Sequence, residues 1–156
     1  MPGTAVYALA ALFMLLSGTL AGVLVAVEIA VVPMLARLPG DRYVEAHRLL
    51  DPRFDPLMPT ANKVALVAGL ALVILGRGPV AQVCFGIAEA GIVGVALVSE
   101  LSNVRINRQM DKWDATSLPQ EWSRARVRWA RSNRHRTAIA LAGFATAIAG
   151  LILLHS

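Results

Sequence analysis

The first charged side chain in this sequence is Glu28. The apolar run around it covers about residues 5–35, more than the roughly 20 residues that cross a bilayer. Such a helix must tilt or project from the hydrocarbon. Three further apolar runs follow, at about 60–76, 79–102 and 136–154. Backbone polar groups in lipid must bond within their own segment, so each run is expected to be a helix. The fold expected is all-α. It is one integral membrane domain over residues 1–156, a four-helix transmembrane bundle. Polar loops at 36–59 and 103–135 join the spans. The first should hold an amphipathic helix at 41–50, and the second a helical polar segment before the fourth span. The prolines of DPRFDPLMP (51–59) are expected to break regular helix. A cleaved signal peptide fits poorly, because no basic residue precedes the first run and the run is too long.

Charge sets the topology. Only 16% of residues are charged, against about 25% in soluble domains. Five Lys and Arg fall in or beside the first polar loop and nine in or beside the second. Arg77, in the tight turn Gly76-Arg77-Gly78-Pro79, is alone on the opposite side. The positive-inside rule therefore predicts a multi-pass protein of the cytoplasmic membrane, with loops one and three cytoplasmic and both termini outside. The net charge of +5 suits a lipid bilayer with anionic headgroups. No nucleic-acid motif accompanies it, so no nucleic acid partner is expected. Cys84 is the single cysteine. It cannot form an internal disulfide, which argues against membrane thiol oxidoreductases, and it reads as a small apolar side chain. Gly18 and Gly22 form a GxxxG pair, and Ala90 with Gly94 a similar one. Such spacing suits close helix contact, including a homo-oligomer through Gly18/Gly22.

Two carboxylates fall inside the apolar runs. Glu28 lies late in the first and Glu89 in the middle of the third. A charge near the bilayer centre is costly, so such groups are protonated, paired or turned toward a wet cavity. Glu28 also reads as an interfacial residue near a helix end. Projected at 100° per residue, Glu89, Glu100, Asn103 and Asn107 share one stripe about 60° wide, while Arg105, Arg108 and Lys112 lie on a separate flank. The flank suits headgroups or water. The carboxylate and amide seam must face protein.

The segment after Pro119 has a similar division. Trp122, Arg126, Trp129, Asn133 and Arg136 align, each within about 40° of Trp122, with Arg124, Arg128 and Arg131 on the far face. The inner stripe suits either an interfacial aromatic belt or a flat surface for an aromatic, partly anionic ligand. His47 lies one turn after Tyr43 and is a plausible acid or base, or a plain surface histidine. His135 points with the outer arginines, and His155 is terminal. No HxxxH or HxxE pair is present, and Walker, Rossmann and GxSxG patterns are absent. A metal held by Glu28, His47, Glu89 or Glu100 stays open.

Asn103-Val104-Arg105-Ile106-Asn107, then Trp113, then Arg126-Val127-Arg128-Trp129, with Arg136 seven residues on, resembles the signature of the anthrone oxygenase-like membrane proteins. Four spans with a polar third loop match as well. The resemblance covers most of the chain and is specific over about residues 100–136. Family members often carry a histidine between the tryptophan and the final arginine; here Asn133 stands in that place. The resemblance implies an oxidoreductase of monooxygenase type in secondary metabolism. It would take a small hydrophobic aromatic or polyketide substrate and O2, with no flavin, haem or added metal. A base removes a benzylic proton, and the enolate reacts with O2. Glu89, Glu100 or His47 would be that base, with Glu28 a further carboxylate of the site. Asn103, Asn107, Arg126 and Arg136 would hold the enolate oxygen, and Trp122 and Trp129 would stack on the rings, beside Tyr43 and Asn133. The same groups suit a redox-neutral polyketide cyclase or isomerase. A small proton-coupled carrier and a subunit without a site of its own are the remaining readings.

Overall fold

The computed structural model of the chain describes residues 3–76 and 78–154. Arg77 and His155 lie outside them. α1 (Thr4–Ala26) passes through a π-turn at Val27–Val31 into α2 (Val32–Ala36), making one rod of 33 residues. α3 (Gly40–Phe54) is followed by α4 (Leu57–Leu75). α5 (Pro79–Val98) passes through a second π-turn at Ser99–Asn103 into α6 (Val104–Met110), a rod of 32 residues. α7 (Trp122–Leu153) is also 32 residues long.

Four of these rods are long and apolar enough to cross a membrane. α1 packs on α4 and α7, and α5 packs on the same two, closing a four-helix bundle. Exposed Leu15, Val67, Ile74 and Ile87 give the bundle an apolar outer surface, as a lipid-facing protein requires. The turn into α5 uses Gly78 at φ +94°, with Pro79 at the first helical position. That φ is open to glycine at no steric cost, and proline there has no amide to leave unbonded.

The interior divides in two. One apolar cluster, around Phe13, Leu72, Phe85 and Ala147, fills the bundle. The Phe13 and Phe85 rings meet edge to face at 6.3 Å. A second cluster, with Val27, Leu35, Tyr43, Val44, Ile106, Met110 and Trp129, lies where α3 closes on α6 and the start of α7. A 32-residue helix is about 48 Å long, against a hydrocarbon core of about 30 Å. The long rods thus carry their polar ends well beyond the apolar layer, and α3 sits against those ends.

Close approach of α5 and α7 depends on a glycine pair absent from the expected GxxxG sets. A Cβ on Gly91 would lie 3.2 Å from the Gly143 Cα, and one on Gly143 would lie 3.3 Å from the Ala88 carbonyl oxygen. Gly143→Val should lower stability by about 1–3 kcal/mol through overpacking. Thermal unfolding in detergent reads this, with Gly86→Val as the control, since nothing lies within 4 Å of a Cβ on Gly86. Ala90 is exposed. Gly18 is occupied within the chain, its absent Cβ lying 3.0 Å from the Phe144 ring, whereas Gly22 has open space. The Gly18/Gly22 pair is therefore not a free two-glycine face.

The proline-rich stretch breaks helix less than expected. α3 runs through Pro52 to Phe54, and α4 already begins at Leu57. Pro52 falls in the last turn, where the helix ends two residues later. Pro59 falls in the first turn of α4, where an amide would have no partner in the helix anyway.

Candidate active site

Each π-turn lies at the membrane-exit end of a long rod. In the first, the Val32 amide bonds to the Val27 carbonyl, and in the second the Val104 amide bonds to that of Ser99. An i to i+5 turn takes in one additional residue and rotates everything after it by about 100°. This undoes the expected single seam on the third rod. Asn103 is buried and Asn107 half-buried against α7 and α3, but Glu100, inside the turn, is exposed. Glu89 faces another way. The side chain fits the space left by Gly69, where a Cβ would meet its carboxylate and the Phe13 ring. Glu89 is also 14 residues before Asn103, about 21 Å along the axis. Neither Glu89 nor Glu100 shares a chamber with the amides.

The amides and the α7 stripe do meet, and they bond directly. The Trp129 indole N–H donates to Asn107 Oδ1 at 3.0 Å, and Asn107 Nδ2 donates to Asp51 Oδ1 at 2.6 Å. Asn103 Nδ2 donates to the Trp129 carbonyl at 3.3 Å, while Ser132 Oγ donates to Asn103 Oδ1 at 2.7 Å. One turn on, fully buried Asn133 donates to Glu28 Oε2 at 2.7 Å. Its own oxygen accepts from Arg136 Nε and Nη2, at 3.1 and 2.9 Å. Arg134 completes the pairing of Glu28 at 3.0 Å. Glu28 is thus an anchored carboxylate between two donors from α7.

Trp122 and Arg126 stand at the other end of the stripe. The Arg126 guanidinium lies 4.8 Å from the Trp122 ring and 5.7 Å from Tyr43. It donates to the carbonyls of Ala36 and Leu38, capping the end of the first rod. Trp122 packs against Gly40, where a Cβ would fall 3.1 Å from the indole. These two residues hold the entry to α3.

α3 itself brings the titratable groups. Tyr43 and His47 are buried on it. The His47 imidazole meets Trp129 edge-on at 5.0 Å and lies 5.9 Å from the Tyr43 ring. Burial pushes the His47 pKa down to about 4, with Asp111 opposing and Arg136 assisting. Burial pushes the Tyr43 phenol up to about 12, against the Arg126 charge. Burial, with Asp111 and Asp55, also raises the Asp51 carboxyl, against the Asn107 hydrogen bond and Arg136. At neutral pH the site therefore presents a neutral imidazole beside a neutral phenol. His47 Nε2 and Tyr43 Oη are both enclosed and without a hydrogen-bond partner among the described residues. Buried polar atoms are rarely left so.

Three contributors escaped the sequence reading. Asp51 holds Asn107. Ser132 holds Asn103. Arg48 donates to the carbonyls of Met110, Asp111 and Trp113, tying α3 to the α6–α7 connector. Tyr43, His47 and Asp51 are spaced i, i+4, i+8, a helical stripe that was visible had the helix been carried past Leu50. Among the described residues no group of three or more His, Cys, Asp or Glu is arranged to hold a metal. Glu28, His47, Glu89 and Glu100 therefore do not converge as a ligand set.

The family model for anthrone oxygenase matches residues 54–146, more than half of the chain. The chain belongs to the anthrone oxygenase family. No curated protein and no solved structure matches it. The matched segment takes in α4, α5, α6 and α7 as far as residue 146, and with them Asn103, Asn107, Trp129, Asn133 and Arg136. α3, which supplies Tyr43, His47 and Asp51, precedes it almost entirely. In this anthrone oxygenase family member the side chains brought together thus come from inside and outside the matched segment.

Proposed function

We propose that this chain is a membrane-embedded oxygenase that oxidises an aromatic, polyketide-type substrate with O2, using His47 as the base. The observation that carries the assignment is the pair of bare, buried atoms, His47 Nε2 and Tyr43 Oη, on rings 5.9 Å apart, with the His47 ring against Trp129. One is an acceptor ready for a proton, and the other a donor ready for a substrate oxygen. Family membership supplies the reaction class.

In the proposed reaction His47 Nε2 takes a proton from the benzylic CH2 of an anthrone-type ring system. Tyr43 and the nearby Arg136 charge favour the enolate oxygen that results. The enolate passes one electron to O2, and the two radicals combine at carbon. The peroxide anion takes the proton back from His47 to become a hydroperoxide, which loses the remaining C–H hydrogen together with hydroxide as water. The CH2 has become C=O, and one O2 has yielded that oxygen and one water. Asn133 cannot serve as a base, and it joins Arg136 to Glu28. Trp129 walls the site, positioned by Asn107 and Asp51. Glu89 and Glu100 take no part. Because His47 and Trp129 are buried, the substrate enters by parting α3 from α7. We place α3 and the α6–α7 connector on the cytoplasmic side.

Purified protein with an anthrone in an oxygen electrode tests this reading. One O2 should disappear per quinone formed. Product without oxygen uptake would convert the assignment to a redox-neutral reaction, and proton-driven uptake into vesicles without product would convert it to a carrier.

The pH dependence follows from His47. Proton abstraction needs the neutral ring, so the rate should hold from pH 7 downward and fall as the pH drops through about 4. A free histidine would lose it near 6.5. Between these values the unfolded chain binds the proton and the folded chain does not. The His47 contribution to stability is therefore complete above about pH 6.5 and is lost as the pH falls toward 4. Stopped-flow rates and thermal unfolding across this range check both.

A further inference from the structure

Outside the α3 site, the α6–α7 junction carries a groove of about 250 Å³ lined by Leu101, Ser102, Arg105, Ile106, Gln109 and Arg128. We propose that this groove is a binding site for the phosphate of an anionic phospholipid headgroup. Arg105 and Arg128 come from different helices and line one space. Both are exposed, and among the described residues neither makes an ion pair or hydrogen bond. No carboxylate is in the lining. The charges flanking it along the two rods include Arg108, Arg124 and Arg131, all exposed, and Glu100, an exposed carboxylate in the π-turn beside Leu101. Guanidinium groups match phosphate oxygens with paired N–H donors, and Ser102 and Gln109 add neutral ones.

Position selects a lipid as the source. α5 has 20 residues, about 30 Å of helix and the thickness of the hydrocarbon core. The groove begins three residues beyond its end, at the depth of headgroups. Its floor is apolar at Leu101, which is 59% exposed, and acyl chains fit beside such a residue. Uniform attraction to a charged surface would be shared among all the outer arginines. A built groove puts it on two of them.

Delipidated full-length protein, incubated with dioctanoyl phosphatidylglycerol and examined by native mass spectrometry, reads the site. One lipid should be retained, and dioctanoyl phosphatidylcholine should not displace it. R105Q/R128Q should weaken retention about tenfold or more. R124Q/R131Q, which removes the same charge outside the groove, should leave it unchanged. Equal losses in the two double variants, or equal binding of phosphatidylcholine, would overturn the proposal. Competition by inorganic phosphate alone would overturn the lipid as its source. R105Q by itself is read the same way if the double variant is not recovered folded.

Discussion

His47→Ala should slow substrate oxidation by about 10²–10⁴-fold, the usual contribution of a positioned general base. Glu89→Gln and Glu100→Gln should run near the parental rate. The contrast is the informative part. The family resemblance makes all three residues candidates for the base, and the structure separates them. Glu100 is exposed, and Glu89 lies against Gly69 and Phe13 in the apolar bundle. His47 alone lies against Trp129, with a bare nitrogen. Initial rates with membranes adjusted to equal protein would decide. Near-parental turnover in His47→Ala, or collapse in Glu89→Gln, would assign the base elsewhere. Replacement by alanine also leaves space beside Trp129, so added imidazole should restore part of the rate if the loss is chemical.

The second large effect is on stability. Asn133→Leu should cost about 3 kcal/mol or more. Asn133 is fully buried, and its amide links the Arg136 guanidinium to the Glu28 carboxylate. Leucine fills the volume but removes the partner of a half-buried carboxylate oxygen and of the Nε and Nη2 edge of Arg136, which keeps only its 3.4 Å bond to Ser99 Oγ among the described residues. Glu28 keeps Arg134, but that side chain is largely exposed, and an ion pair in contact with water stabilises little. Denaturant or thermal unfolding in a fixed detergent would measure the loss. A double variant, Asn133→Leu with Arg136→Leu, should recover part of it, because the stranded guanidinium is removed along with its acceptor. A loss confined to a few tenths of a kcal/mol would mean that water or lipid headgroups already satisfy these groups.

The four spans were legible because charge-free length in lipid admits little besides helix. The inner face of α7 was legible for a related reason. From Trp122 to Arg136 the helix is regular, so 100° per residue predicts correctly that Trp129, Asn133 and Arg136 face inward together. The third rod was not legible in the same way. A π-turn at Ser99–Asn103 has no sequence signature in this chain, and its one-residue offset separates Glu89 from Asn103. α3 was cut short at Leu50 by the rule that prolines end helices. The helix reaches Phe54, so Asp51 falls one turn after His47 and bonds to Asn107. The glycine pairs were read from i, i+4 spacing. The contact that matters joins Gly91 to Gly143 on different helices, which spacing within one helix does not encode.

The central claim is that α3 buries a neutral histidine against α6 and α7. Nitrogen NMR of imidazole-labelled protein in micelles, followed against pH, measures the ring directly. A His47→Gln sample identifies which signal belongs to that ring. The account predicts that the His47 ring titrates near pH 4, well below an exposed histidine. Titration near 6.5 would show a solvated side chain and contradict it.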